Sequence, residues 1–432
     1  MRSRYPPGGP SPRGAVPGPG EPGGSGRREP WGPPDAFSRE APGPFDADPF
    51  DAGPFTRLQA TLRLSRRASS RAAGRRALAF AAVAWVPLLV LSLAQGLAVG
   101  PRIREPFLLD VAAHVRYLVA LPVLIAVEPW CLQRLALIAH HFTRAGLVIG
   151  EDRARMEALV ASVRRSLGHR AAEVALVLFA IAATLGTRGI LYSGHVSSWV
   201  VPHVGAAPES LSLAGWWRGL VSQPLFLLVG GIWVWRVAVW ARFLWGVSRL
   251  RLRLVPSHPD LAGGLRFLAG SMGAFAPIGF ALGTVVAGSV AENILRGKNT
   301  PMGHAAPVVA TLVVSLVTFA GPLLAFVWPL RRAWLRGTME YGALAGAVGR
   351  HLEERWLASG RSLAPAVLEV PDFSAASDLY TITANVRRMS PLPMGVWDIA
   401  PLAVATLLPF VPLFFLVIPV DELLKRIAQF FL

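Results

Sequence analysis

The sequence predicts an all-α membrane protein, a bundle of about seven transmembrane helices, from its composition and from the arrangement of its apolar residues. Of the 432 residues, 53% are hydrophobic and only 16% are charged, whereas a soluble domain averages about 45–50% and about 25%. The apolar residues fall in runs of roughly twenty, the length that an α-helix needs to cross ~30 Å of hydrocarbon. This combination argues against an ordinary soluble enzyme and excludes a chain that is disordered throughout.

Two predicted segments precede the first apolar run. Residues 1–55 are rich in Pro and Gly and cannot bury enough apolar surface to offset backbone entropy, so a disordered cytoplasmic tail is predicted. Residues 56–76 carry seven arginines with leucines between them. This basic juxtamembrane segment is expected either to lie on anionic lipid at the cytoplasmic face or only to fix the orientation of the first helix.

Seven apolar stretches then define a helical membrane domain over residues 77–419. Each is long enough to span the bilayer, and each contains Pro or Gly, which membrane helices tolerate better than soluble helices do. The predicted spans are 77–99, 107–127, 171–191, 219–239, 267–290, 306–330 and 398–417.

Basic residues are distributed unevenly between the two sides of these spans. The N-terminal tail and the even-numbered connections hold 34 of the 43 basic residues, whereas the odd-numbered connections and the C-terminal tail hold eight. Because arginine and lysine accumulate in cytoplasmic loops, the N-terminus is predicted inside and the C-terminus outside. An odd number of spans agrees with termini on opposite sides.

The long connections are predicted to be helical and cytoplasmic. Residues 128–170 contain two amphipathic stretches around a break at Gly146–Gly150, and residues 371–389 form another short helix. Beyond the last span, residues 420–432 are predicted to form an amphipathic helix on the outer interface. The predicted cytoplasmic helical loops are 128–170, 240–266 and 331–397.

The second span carries the polar residues that are most costly in a membrane. Asp110 and His114 are four residues apart and share a helical face, while Arg116 lies near mid-depth between Ala112 and Ala120. A guanidinium at that depth must face protein or trapped water. Arg116 serves either as an anion or proton site or as half of a buried structural pair. Asp110 also fits a different interpretation, as an acid in the first helical turn that complements the helix dipole.

The fifth span contributes a fourth polar candidate and a packing surface. Glu292 either pairs with Arg296 one turn on or approaches the polar second span. The small residues recur every four positions and predict a helix-packing ridge, made of Gly279, Gly283, Ala287 and Ala291.

Other site chemistry is sparse. Cys131 is the single cysteine, no spacing brings together three metal ligands, and neither a metal nor a cofactor is predicted. Asp260 in the His258-Pro-Asp260 tripeptide is expected to cap the fifth helix.

Since the excess positive charge lies in the membrane part, nucleic acid is excluded as a partner. The expected partners are the bilayer, anionic lipid at the cytoplasmic face and a homo- or hetero-oligomer.

Four strings carry a resemblance to a known family. They are Asp110-x-x-x-His-Val-Arg-x-Leu-Val-Ala-Leu-Pro122, His258-Pro-Asp-x-Ala-Gly-Gly-Leu265, Val386-Arg-Arg-Met-x-Pro-x-Pro-x-Gly395 and Pro419-x-x-Glu-Leu-Leu. Together they resemble an uncharacterised family of bacterial multi-pass inner-membrane proteins, over about residues 75–432. Arg266 departs from the pattern, where a small residue is expected. The resemblance implies a location in the bacterial inner membrane and brings no established activity.

The function predicted from these observations is non-enzymatic, namely transport-like or solute-sensing, with the polar second span facing the bundle centre. The alternative is a membrane-embedded enzyme acting on a lipid or prenyl-phosphate, in which Arg116 holds an anionic group and His114 moves a proton. A third hypothesis is an assembly scaffold that uses the glycine ridge. Seven spans do not divide into two equal inverted repeats, which argues mildly against a standard transporter.

Overall fold

The computed structural model describes residues 70–100, 105–191, 197–201, 211–296, 301–354 and 371–413. Within these ranges the protein is helical, without strands, and only one isolated β-bridge joins Val148 to Leu252. The predictions for the 1–55 tail, for most of the 56–76 segment and for the 420–432 helix lie outside the described residues.

Nine helices carry the described part of the fold. In chain order they are α1 (Ser70–Ala94), α2 (Val111–Arg144), α3 (Asp152–Leu167), α4 (Arg170–Leu191), α5 (Leu213–Ser248), α6 (Arg266–Leu295), α7 (Ala305–Leu352), α8 (Pro371–Arg388) and α9 (Val396–Leu413).

Six of these helices are long and apolar enough to cross a membrane, namely α1, α2, α5, α6, α7 and α9. A seventh crossing comes from α3 and α4 if that pair, bent by 45°, is one span. The prediction of an all-α, multi-pass membrane protein is therefore confirmed, with six to seven candidate spans in the described chain. The predicted third span coincides with α4, which packs on α5 where Gly231 faces Leu176 and Phe179.

Three helices continue past the ends of the predicted spans and into the connections predicted to be helical. Helix α2 is 34 residues long and continues to Arg144, and α5 continues to Ser248, past residue 240. Helix α7 is 48 residues long. At 1.5 Å per residue each of these helices is longer than the ~30 Å of hydrocarbon and must extend beyond it.

The break between α2 and α3 follows from backbone conformation. Gly146 and Gly150 have φ values of 64° and 60°, in the left-handed region that glycine enters without a steric penalty. The predicted break at these two glycines is confirmed. Between them, the connection lies against the loop after α5, because Arg253 donates its backbone N–H to the Leu147 carbonyl at 2.9 Å.

Helix α6 lies at the centre of the bundle. Its apolar stretch is 61% buried, against 17–39% in the other five candidate spans. A Cβ at Gly279 would meet Thr406 and Leu402 of α9, and a Cβ at Gly283 would collide with the Thr406 carbonyl. On another face, Gly288 lies against Val115 of α2. Small residues on two faces therefore let α2 and α9 approach the α6 backbone closely.

The loop between α5 and α6 is organised by Asp260. Its carboxylate accepts backbone N–H bonds from Ala262 at 2.8 Å, from Gly264 at 3.1 Å and from Arg266 at 3.1 Å. Burial acts to raise the pKa of Asp260, but these bonds and the His258 contact outweigh it and hold the pKa below its usual value. The expected cap of the fifth helix is thus present, because Arg266 is the first residue of α6.

Candidate functional site

Asp110 lies at the start of α2 and is 8% exposed. One carboxylate oxygen caps the helix by accepting the Ala113 backbone N–H at 2.8 Å, and the other accepts the Trp199 indole N–H at 2.9 Å. The Ser197 hydroxyl lies 3.1 Å from that second oxygen. The interpretation of Asp110 as a first-turn acid therefore fits its position, and the carboxylate also has partners from a distant loop.

Glu292, near the end of α6, belongs to the same group of polar side chains. Arg296 forms an ion pair with Glu292 and a second ion pair with Glu105 at 2.9 Å. Arg296 also donates to the Ser197 hydroxyl at 3.2 Å. We call this group of five residues the carboxylate cluster, and its members are Glu105, Asp110, Ser197, Glu292 and Arg296.

Both alternatives for Glu292 are therefore present together. The acid pairs with Arg296 one turn on, and it also reaches the second span through Ser197, whose hydroxyl lies 3.5 Å from Glu292 Oε1 and 3.1 Å from Asp110 Oδ2. A hydroxyl has one proton to donate, so Ser197 can bind only one of these two carboxylates at a time.

The loop that delivers Ser197 is held by its neighbours. Trp199 is fully buried and packs edge-on against Phe107, with the ring centroids 5.0 Å apart. Ser198 accepts the backbone N–H of Glu105 at 2.8 Å. The indole ring and the serine thus bring two separate chain segments to the start of α2, and the cluster is assembled from α2, α6 and two loops.

Within the described residues, the acids of the carboxylate cluster outnumber the cations that act on them. Glu105, Asp110 and Glu292 lie around the guanidinium of Arg296, and Arg218, which lies 5.7 Å from the Trp199 ring, acts on Glu292 from a greater distance. In a partly buried site, an excess of carboxylates over cations attracts a cation or a proton.

His114 has different partners. Its Nδ1 accepts the Trp85 indole N–H at 2.9 Å, and its Nε2 lies 3.2 Å from the Leu108 carbonyl oxygen. An indole N–H can only donate, so the ring proton of neutral His114 must be on Nε2, where it faces the carbonyl. The ring also meets Phe107 edge-on, with the centroids 5.1 Å apart.

Arg116 also lies apart from the cluster. Its Nη1 donates to Gln223 Oε1 at 3.4 Å, and its guanidinium lies 5.9 Å from the Phe226 ring centroid. Its Nε is buried and has no hydrogen-bond partner in the described chain. Tyr117 donates to the same Gln223 oxygen at 3.3 Å. Arg116 therefore faces protein, and its acceptor is a neutral amide.

A π-turn explains why Arg116 and Tyr117 reach the same glutamine. Residues Val115–Ala120 of α2 are wound as a π-helix, and Arg218–Ser222 of α5, just before Gln223, are wound the same way. A π-turn takes more residues per turn and shifts the faces of the helix that follows. Arg116 and Tyr117, which are consecutive in the sequence, therefore both contact Gln223.

Of the four predicted polar residues, the structure brings Asp110 and Glu292 together and gives His114 and Arg116 separate partners. Glu105, Ser197 and Gln223 escaped sequence reasoning, since an isolated polar residue in a connection or at a span end carries no periodic pattern. In the described residues no group of three His, Cys, Asp or Glu side chains is placed to hold a metal ion.

The resemblance to a bacterial inner-membrane family stays a prediction. No family model matches the chain, and neither the curated proteins nor the solved structures contain a significant match.

Proposed function

We propose that this multi-pass membrane protein is transport-like or solute-sensing and not an enzyme, and that its carboxylate cluster is where a cationic solute or a proton engages. The observation that carries the proposal is the convergence of Glu105, Asp110 and Glu292 around Arg296 at one end of the bundle. Ionisable groups are expensive at membrane depth and are retained mostly on solute or proton pathways. A bound cation would compete with Arg296 for the carboxylates and free the segments that Arg296 joins.

The proposed orientation places this cluster on the outer side. The support is the 34 to 8 division of basic residues, which puts the arginine-rich end of the bundle in the cytoplasm. With the N-terminus inside, the start of α2 and the end of α6 face outward. The proposed location is the inner membrane of a bacterial cell, which rests on the family resemblance.

The enzyme hypothesis has less support. It requires His114 to exchange a proton and Arg116 to hold an anionic group, but both His114 nitrogens have hydrogen-bond partners and no hydrogen bond joins the two residues in the described chain. The scaffold hypothesis relied on a free glycine ridge. Gly279 and Gly283 are covered by α9 of the same chain, so that surface is not available to another protein.

The proposal is tested by cation-dependent thermal stability of the full chain in nanodiscs. The probes are Na⁺, K⁺, tetramethylammonium and putrescine at equal ionic strength, together with a pH series. We expect at least one cation, or acidification, to shift the Tm of the unsubstituted protein. Glu292→Gln should abolish that shift because it removes the negative charge, while Glu340→Gln, the same change at an exposed position on α7, should keep it.

An equal response in Glu292→Gln and in the unsubstituted protein would refute a role of the carboxylate cluster in binding. A complete lack of response to every cation and to pH, with all proteins folded, would refute the proposal as a whole.

A further inference from the structure

A basic groove lies at the opposite end of the molecule from the carboxylate cluster. It forms where the end of α5, the loop that follows it and the middle of α7 meet, and its volume is about 790 Å³. Four arginines and two tryptophans dominate the lining. We call it the arginine groove, and the residues used below are Trp245, Arg249, Arg251, Trp328, Arg332 and Arg336.

The positive charge of the arginine groove is not neutralised by the described protein. The lining contains no Asp or Glu, and within the described ranges none of the four guanidinium groups forms an ion pair with a carboxylate. Asp152 contacts Arg251 only through the backbone, since it accepts the Arg251 backbone N–H, and its ion pair is with Arg155. The four side chains therefore keep their donors for a ligand from outside the described chain.

Two of the arginines are oriented by indole rings. The Arg249 guanidinium lies 4.8 Å from the Trp245 ring centroid, and the Arg332 guanidinium lies 4.9 Å from that of Trp328. Stacking on an aromatic face restrains a guanidinium without using its N–H donors. The result is a preorganised pair of forks, one from the residue that directly follows α5 and one from α7, which suits the oxygens of a phosphate.

The tryptophans also indicate the depth of the groove. Trp245 and Trp328 are 55% and 58% exposed, and both lie on candidate spans, each within four residues of a groove arginine. Indole rings are enriched at the headgroup level, where the ring contacts hydrocarbon and the N–H contacts water. The groove thus opens at a height where lipid headgroups are concentrated.

We propose that the arginine groove binds the phosphate of an anionic phospholipid, with Arg249 and Arg332 as the principal donors and Arg251 and Arg336 completing the charge. The lipid is favoured over a soluble phosphate because exposed indoles flank the arginines and because the floor includes the apolar side chains of Leu254 and Ala333. The basic patches of membrane proteins that face the cytoplasmic leaflet bind anionic headgroups in this way.

The competing explanation is that these are ordinary loop arginines, which only orient the helices. Such arginines would respond to anionic lipid through net charge alone, and lysine would replace them without loss. A built site depends on the planar fork, which lysine lacks. Substitutions that keep the charge and remove the fork therefore separate the two explanations.

The test measures the Tm of the full chain in nanodiscs of phosphatidylcholine alone and of phosphatidylcholine with phosphatidylglycerol. We expect phosphatidylglycerol to raise the Tm of the unsubstituted protein by several degrees. Arg249→Gln with Arg332→Gln should lose most of that rise. The matched control is Arg387→Gln with Arg388→Gln, which removes the same charge from exposed positions at the end of α8, outside the groove, and should keep the rise.

Further variants and a soluble probe complete the design. Arg249→Lys with Arg332→Lys should behave like the glutamine pair although the net charge is unchanged. Glycerol 1-phosphate, added to phosphatidylcholine nanodiscs at millimolar concentration, should not reproduce the rise.

Equal losses in the groove pair and in the control pair would overturn the proposal, as would full retention of the rise in the lysine pair. A rise produced equally well by glycerol phosphate would replace the lipid with a soluble phosphate and would also overturn it. If the glutamine pair does not fold, the lysine pair, which keeps both charges, distinguishes a built lipid site from an effect of net charge.

Discussion

Asp110 accepts three hydrogen bonds from two parts of the chain, and each bond constrains what a substitution does. Asp110→Ala removes the helix cap and leaves the buried Trp199 indole N–H without an acceptor. We expect a destabilisation of about 2–4 kcal/mol, combining the loss of a cap with an unsatisfied buried donor. Thermal unfolding in detergent measures the change.

A matched control for Asp110 is available on the surface of α8. Asp378 is exposed, so Asp378→Ala should change stability by no more than about 0.5 kcal/mol. Similar unfolding temperatures for the two alanine variants would contradict the assigned role of Asp110.

Asp260 gives a prediction about pH. Its pKa is lower in the folded protein than in the unfolded chain, so the stabilisation is complete above the unfolded-state pKa and is lost as the pH falls through the folded-state pKa. We expect the Tm of the unsubstituted protein to exceed that of Asp260→Asn at neutral pH. The difference should shrink below about pH 4, the usual range of an aspartate. A difference that stays constant down to pH 3 would show that the charge of Asp260 does not matter.

At the scale of the helix, α6 offers two glycines in different surroundings. A Cβ at Gly283 would collide with the Thr406 carbonyl, whereas a Cβ at Gly273 would meet nothing within 4 Å. Gly283→Ala should therefore destabilise the bundle by about 1–3 kcal/mol through overpacking. Gly273→Ala should be neutral or stabilising by up to about 1 kcal/mol, since alanine favours the helix. The measurement is the unfolding temperature of the two variants in the same detergent. Equal unfolding temperatures would contradict the contact between α9 and the α6 backbone.

Helices α2 and α6 also show what a sequence reveals and what it conceals. The glycine ridge was readable because small residues at a spacing of four have one simple use, close packing, and Gly279 and Gly283 do lie against α9. The spacing gave no prediction for Gly288, which lies off the ridge and contacts Val115. In α2 the π-turn at Val115–Ala120 was invisible, because no residue type specifies it and tertiary contacts determine where it forms.

At the scale of the whole molecule, the number of crossings is tested by topology reporters. Because α7 continues to Leu352, the informative fusions are after Leu352 and after Leu432, not at the end of the predicted sixth span. Seven crossings with the N-terminus inside predict cytoplasmic activity at Leu352 and outer-side activity at Leu432. Reporters on the same side at both positions would contradict a crossing by α9.

The features of the whole molecule that could be predicted from the sequence are those that the hydrophobic effect determines over many residues. Runs of twenty apolar residues determine spans, so the helical class and the approximate number of crossings follow from composition and spacing. The carboxylate cluster depends instead on loops that bring Glu105 and Ser197 beside α6, and the arginine groove depends on α5 and α7 meeting. Contacts between segments far apart in sequence leave no local pattern to read.

The covering of α6 by α9 has a consequence for the order in which the protein is made. Thr406 is synthesised roughly 120 residues after Gly283, and a ribosome adding about 5–20 residues per second needs on the order of 6–24 seconds to reach it. During that interval the central helix is already in the membrane without the partner that its glycines fit. Lipid or the insertion machinery must occupy that face of α6 first, and α9 must displace it. Biogenesis therefore ends with the replacement of lipid or insertion machinery by α9 at the middle of the bundle.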